Sequence, residues 1–173
     1  LIERLNAKGH SAEFKDKMII LDSVIAIADN IETDYGLNIN VVGSLDHNDF
    51  SVIEGVGKIV REFVSVGRVI TMGGKGLTYE KIVNSLEVKE RDNYIAWGVN
   101  VPKLGIYNEH YKVIHMGFAV DPEKQTPQIL LANNYPVILI GKTADVIIAK
   151  GAQYLPAVNT KLILETLLES IKN

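Results

Sequence analysis

Tyr135-Pro136-Val137-Ile138-Leu139-Ile140-Gly141-Lys142-Thr143-Ala144-Asp145-Val146 is an apolar run that ends on glycine and then presents a cation. The β-branched and aliphatic residues over 135–140 predict a buried strand. Upstream, Thr126-Pro127 predicts a helix start with proline in its first turn, continued over 128–132 and stopped by Asn133-Asn134. Downstream, Asn159-Thr160 predicts the cap of a last helix over 161–171, with Leu164, Leu167, Leu168 and Ile171 on its apolar face. From Thr126 on, the pattern is therefore helix–strand–helix, of α/β type. Ligands in open α/β sheets sit beyond the carboxyl ends of strands, so Lys142 stands where a ligand contact belongs. Asp145, three residues on, is equally a partner for the same lysine.

A second run has the same form. Phe63-Val64-Ser65-Val66 leads to Gly67-Arg68 and on to Val69-Ile70. An arginine after a glycine turn can grip phosphate with two parallel hydrogen bonds, or it can pair with a surface carboxylate such as Glu62. Around this run the spacing predicts a helix over 50–64, with Phe50, Ile53, Val56, Val60 and Phe63 on one face. Gly55 and Gly57 weaken that helix. A strand is predicted over 66–72, a strand or short helix over 37–42, and one strand or two short ones over 18–28. Two more are predicted over 94–101 and 111–120. Residues 73–76 read as a flexible hairpin turn, and 78–86 as a short amphipathic helix at best. This part is meander-like. The expected fold is α/β in class: an α+β domain over 1–125, with a mixed or antiparallel sheet flanked by helices, then the α/β segment over 126–173.

The composition limits the function. A net charge of −3 over 173 residues argues against a nucleic-acid surface, which is normally basic. There is no cysteine, so disulfides and thiolate metal sites are excluded, in keeping with a cytoplasmic protein. No apolar run approaches the ~20 residues of a membrane helix. No leader is visible at Leu1-Ile2-Glu3-Arg4, and an opening at Leu1 rather than Met is what a piece of a longer chain would show.

Other motifs are set aside. Asp46-His47-Asn48-Asp49 lacks calcium-loop spacing and a second cluster. Gly73-Gly74-Lys75-Gly76 lacks Walker spacing. Gly141-Lys142-Thr143 imitates the end of a Walker motif, but Pro136 stands at the first glycine position. His115 reads as a core or edge residue of an apolar strand. No nucleophile accompanies the two basic turns.

The segment 135–146 resembles the bacterial phosphopentomutase segment that reads Gly-Tyr-Pro-Val-Ile-Ala-Ile-Gly-Lys-Ile-Ala-Asp-Ile. Val66-Gly67-Arg68-Val69-Ile70 is similar to their Gly-Arg-Ile-Ile-Ala-Arg-Pro, and 50–63 falls where those enzymes have a helix leading to that arginine. The likeness runs from about Ala28 to Ile171 and is weaker between Trp97 and Asp121. It implies the alkaline phosphatase-like metalloenzyme superfamily, in which two divalent metals, usually manganese, serve a phosphorylated threonine. Phosphate then moves between the 1- and 5-oxygens of a pentose beneath an inserted cap domain. This chain resembles the cap over 1–125 with the adjoining core segment over 126–173.

Carried over by residue, the resemblance implies substrate contacts at Lys142, at Arg68, at Ile70 and at Asp34, whose carboxylate would accept from sugar hydroxyls. The nucleophile and the metal ligands would lie outside this chain, so the chain alone would be inactive and would bind no cofactor itself. Its partners would be a small sugar phosphate and the remainder of its own core. The sequence departs from the family where Glu32 replaces a serine, where Met72 and Gly73 replace a second arginine and a proline, at Arg91-Asp92-Asn93-Tyr94, and in an insertion over 107–116. Two other readings stand beside this one: a non-catalytic binding or oligomerisation domain, and a relative of metal-dependent phosphoglycerate mutases or phosphatases.

Overall fold

The computed structural model describes all 173 residues except Asp16, Tyr35, Asp92, Asn93, Asn173 and the side chain of Arg91. Its class is α/β, and its contacts divide it into Leu1–Phe118 and Ala119–Asn173. The first unit begins with α1 (Ile2–Ala7), β1 (Ala12–Lys15), β2 (Met18–Leu21), β3 (Ile25–Asp29), β4 (Asn38–Ser44), α2 (Phe50–Phe63) and β5 (Arg68–Gly74). It continues with α3 (Tyr79–Asn84), β6 (Leu86–Arg91), β7 (Tyr94–Val99), α4 (Val101–Leu104) and β8 (Lys112–Gly117). The apolar run over 18–28 is two strands. Asp22 and Ser23, with φ of 50° and 64°, make the tight turn that lets β2 and β3 pair antiparallel.

Among the described residues, eight strands form one mixed sheet, ordered β1-β2-β3-β4-β5-β8. The hairpin β6–β7 joins it through a single parallel bridge, Asp29 to Gly98. Most pairs are antiparallel, but β4 and β5 run parallel through seven matched positions, from Asn38↔Arg68 to Ser44↔Gly74. Parallel neighbours need a crossover, and α2 supplies it.

Each sheet face has its own core. Ile53, Val56 and Val60 of α2 are fully buried against Val41, Val69 and Ile25. Burial of each such side chain is worth roughly 1.5–3 kcal/mol. The opposite face packs Val42, Ile70 and Met72 against Ile82, Val101 and Ile106. Phe63 leaves the predicted helical face and stands 54% exposed.

Gly57 explains why α2 tolerates a poor helix former. A Cβ there would lie 2.0 Å from Thr71 Oγ1, so the glycine is what lets α2 lie close on β5. Gly73 and Gly74, expected in a hairpin turn, instead lie buried inside β5. The turn is shorter and leads into α3. At Gly74 an added Cβ would meet the Ile106 carbonyl at 2.4 Å, so covering backbone, not turn geometry, requires glycine there.

Arg61, in the last turn of α2, donates to the carbonyls of Val64 at 2.6 Å, Val66 at 2.8 Å and Met116 at 3.1 Å. Its guanidinium also lies 5.3 Å from the centroid of the Phe118 ring. One side chain thus ties the helix exit to the approach of β5 and to β8.

The second unit holds a short 3-10 turn (Pro122–Lys124), α5 (Thr126–Ala132), β9 (Ile138–Ile140), α6 (Lys142–Val146), β10 (Gln153–Leu155) and α7 (Thr160–Lys172). Asn159 Oδ1 accepts from Lys161 N at 2.8 Å, as its cap position predicts. β9 and β10 pair in parallel. The expected buried strand over 135–140 is corrected: β9 is shorter, with Tyr135 61% and Ile138 37% exposed, because among the described residues β10 alone flanks it.

The Arg61 clamp generates a stability prediction. Arg61→Ala should lower unfolding free energy by about 2 kcal/mol, since three carbonyls lose a charged donor. Arg61→Lys should recover only part of it, lacking the planar fork. Urea denaturation measures both.

Candidate functional site

Arg68 opens β5. Its N–H donates to the Leu37 carbonyl at 3.2 Å, and Leu37 N–H donates to the Asp34 carbonyl at 3.2 Å. Two consecutive backbone bonds therefore bring the loop carrying Asp34 to the head of the strand carrying Arg68. Ile70 lies two residues along the same strand face. It is 8% exposed and packs with Val42 and Met72, so it is a core residue in this structure. Glu62, the surface carboxylate that the sequence offers as an alternative partner for Arg68, pairs with Arg4. The guanidinium of Arg68 instead reaches His115 Nδ1 on β8, a long contact of 3.5 Å. The register explains this, because His115 is matched to Ile70 and is thus the diagonal neighbour of Arg68.

The loop after β3 is braced from two sides. Asp29 accepts from Asn30 N at 2.9 Å and from Gly36 N at 3.5 Å. Asn30 Oδ1 accepts from Glu32 N at 2.9 Å. From β6, the Lys89 ammonium donates to the carbonyls of Ile31, at 2.9 Å, and Thr33. Asp34 is exposed on this framework. Tyr35 of the same turn, and Asp92-Asn93 of the resemblance, lie outside the described residues.

Burial pushes the Asp29 carboxyl above its ordinary 3.8, against the lowering pull of the Gly36 and Asn30 N–H groups and of Lys89. Burial also raises the Tyr107 phenol, helped by the negative charge of Glu32. The Tyr107 ring further packs on Tyr111, 4.8 Å between centroids.

Lys142 belongs to the second unit. It begins α6 directly beyond the C-terminal end of β9, after Gly141 at φ 63°. Its side chain is 71% exposed and lies 3.8 Å from Asp145, the carboxylate three residues on.

Other motifs have structural work. Asp46 accepts from Gly76 N at 2.6 Å and so pins the turn after β5. Among the described residues no three His, Asp or Glu side chains gather as a metal-binding group. A cleft of about 300 Å³ between α3 and α4 is lined by Lys81 and Lys103. Both lysines are engaged, with the Gly76 carbonyl at 2.6 Å and Glu87 at 3.3 Å.

The sequence reading missed His115 as a partner of Arg68. Only the β5–β8 register reveals it. No family model and no curated protein matches this chain.

The shift on Asp29 has a definite sign. Its folded value lies above its unfolded value, so the native state binds more protons between them. Its contribution is present below 3.8 and is lost as pH rises through the folded value. Across that window the parent should lose stability relative to Asp29→Asn as pH rises. Thermal melts of both proteins from acid to neutral pH test this; a difference that stays flat or grows with pH contradicts it.

Proposed function

We propose that this chain is the substrate-positioning part of a phosphopentomutase-like enzyme. In this reading it holds a sugar phosphate while a nucleophile and metal centre elsewhere in a longer protein move the phosphate. The observation that carries the reading is Arg68. It is a half-buried guanidinium at the head of a buried strand, beside the loop that bears Asp34, and its contact is a long one to a ring nitrogen. A phosphate offers that guanidinium two charge-assisted bonds in place of one weak contact. Asp34 is the acceptor for sugar hydroxyls. Lys142, exposed at the end of a parallel strand, is the second cation that contacts substrate. Ile70 acts by packing the floor from which Arg68 rises.

The second unit supports the view that more protein surrounds it. Among its described apolar residues only Leu139 and Ala149 are buried. On α7, Leu164, Leu168 and Ile171 are 53%, 57% and 72% exposed. A unit this small needs covered apolar surface to be stable, and the remainder of a metalloenzyme core would cover it. The same exposure favours a second reading, an oligomerisation domain without catalysis. Among the described residues no helix is long and apolar enough to cross a membrane. We place the enzyme in the cytoplasm, with small-molecule substrates and no nucleic-acid partner.

The test uses protein expressed from the complete gene and an assay of pentose 1-phosphate and 5-phosphate interconversion. Arg68→Ala and Lys142→Ala should each lower kcat/KM by ~10-fold or more, through lost phosphate contacts. Unchanged kinetics in both variants, or no turnover in the parent, would overturn the reading.

A further inference from the structure

The hairpin β6–β7 carries an apolar face out of the core. Matched residues share a face, so Leu86 with Val99, Val88 with Trp97 and Glu90 with Ile95 make successive rows. The first row belongs to the core: Val99 is buried and Leu86 packs against the same cluster. The face then emerges, with Val88, Trp97 and Ile95 47%, 38% and 57% exposed. Among the described residues β6 pairs with β7 alone, so its outer edge carries no strand.

The phase of the ladder tells which backbone groups line that edge. Asn100 N–H donates to the Ser85 carbonyl at 2.8 Å, so these two residues are a hydrogen-bonded pair, one step beyond the Leu86↔Val99 match. Bonded and non-bonded pairs alternate along an antiparallel ladder. Glu87 and Lys89 therefore bond to β7, and Leu86, Val88 and Glu90 turn their N–H and C=O groups outward. A lysine standing off such an edge commonly blocks pairing. Lys89 does not stand off it, because its ammonium is drawn onto the carbonyls of Ile31 and Thr33.

The strand is also complementary to itself. Lay a second copy antiparallel along the edge, with Val88 against Val88. Glu87 then lies opposite Lys89 of the second copy, and Lys89 opposite Glu87. Opposite charges matched across strands stabilise a pair, and like charges destabilise it. An axis through Lys89 would instead set one ammonium against another and Val88 against Glu90. The Val88 register also lets the outward groups of Val88 bond to each other and those of Leu86 to Glu90. It lays Trp97, Val88, Val88 and Trp97 in one row.

We propose that two copies of this chain pair antiparallel through β6, with the twofold axis at Val88, and so join their sheets. The contact is isologous, as a twofold dimer requires, and its small size makes the dimer weak and concentration-dependent. It does not rest on the sugar-phosphate reading.

Sedimentation velocity of this chain, from micromolar to millimolar concentration, should show monomer passing to dimer. Trp97, the only tryptophan, should move its emission to shorter wavelength over the same range as its row is covered. Val88→Lys and Val88→Glu should each stay monomeric, since like charges meet on the axis, and an equal mixture of the two should dimerise again. The chain has no cysteine, so Val88→Cys gives an independent reading. Facing Cα atoms of a hydrogen-bonded pair lie about 5.5 Å apart, within disulfide reach. Mild oxidation should therefore link Val88→Cys into a covalent dimer and leave Ile95→Cys monomeric. A parent that stays monomeric at millimolar concentration overturns the proposal. So do charged variants that dimerise like the parent, a mixture that stays monomeric, or a Val88→Cys protein that does not cross-link.

Discussion

The parallel pairing of β4 with β5 is the constraint on which the first unit depends. Seven matched positions hold the two strands, and α2 connects them across one sheet face. That register puts Asn38 beside Arg68 and Asn40 beside Ile70. Pairing of β5 with β8 then brings His115 to the same place. A slip of one residue would turn Arg68 toward α2, into the packed face of Val41, Ile53 and Val69. The register is protected by close contact: α2 rests on β5 at Gly57, and covering backbone rests on β5 at Gly74. Both approaches exclude side chains, so the strand cannot shift without a clash.

The two faces of the sheet divide the labour. The α2 face packs Ile53, Val56 and Val60 on Val41 and Val69, with the buried Thr71 beneath Gly57, and supplies stability. The other face carries the apolar Val42, Ile70 and Met72, with the polar Ser44, Asn40 and Asn38 also buried along it. Arg61 supports the Arg68 end from the α2 face by holding the backbone before β5 and at Met116 of β8. The backbone on both sides of the Arg68 and His115 pair is therefore restrained by one guanidinium.

Much of the architecture was legible in local pattern. The 3.6-residue spacing of Ile53, Val56 and Val60 marked α2, and Asn159-Thr160 marked the start of α7. Continuous apolar residues marked β2, β3 and β5. What could not be read was set by partners distant in sequence. Gly73-Gly74 read as a turn because glycine signals turns, yet here it makes room for Ile106 and Leu45. The run over 135–140 read as buried because strands rich in isoleucine and valine usually are, yet β9 has one neighbouring strand. The elements α1, β1, β6, α4 and β10 are short and carry weak periodicity. For the candidate site, Arg68 was legible as chemistry and Asp34 only through the resemblance, and the structure ties their backbones together. His115 was not, because alternation within one strand does not tell which face meets an arginine 47 positions away.

The central claim is that the head of β5 receives a phosphorylated sugar. The most direct measurement is a crystal structure of the protein from the complete gene, grown with ribose 5-phosphate. The account predicts phosphate oxygens at hydrogen-bond distance from the Arg68 guanidinium, roughly 2.7–3.2 Å, with the sugar toward Asp34. Phosphate bound elsewhere, with Arg68 still resting on His115, would contradict it.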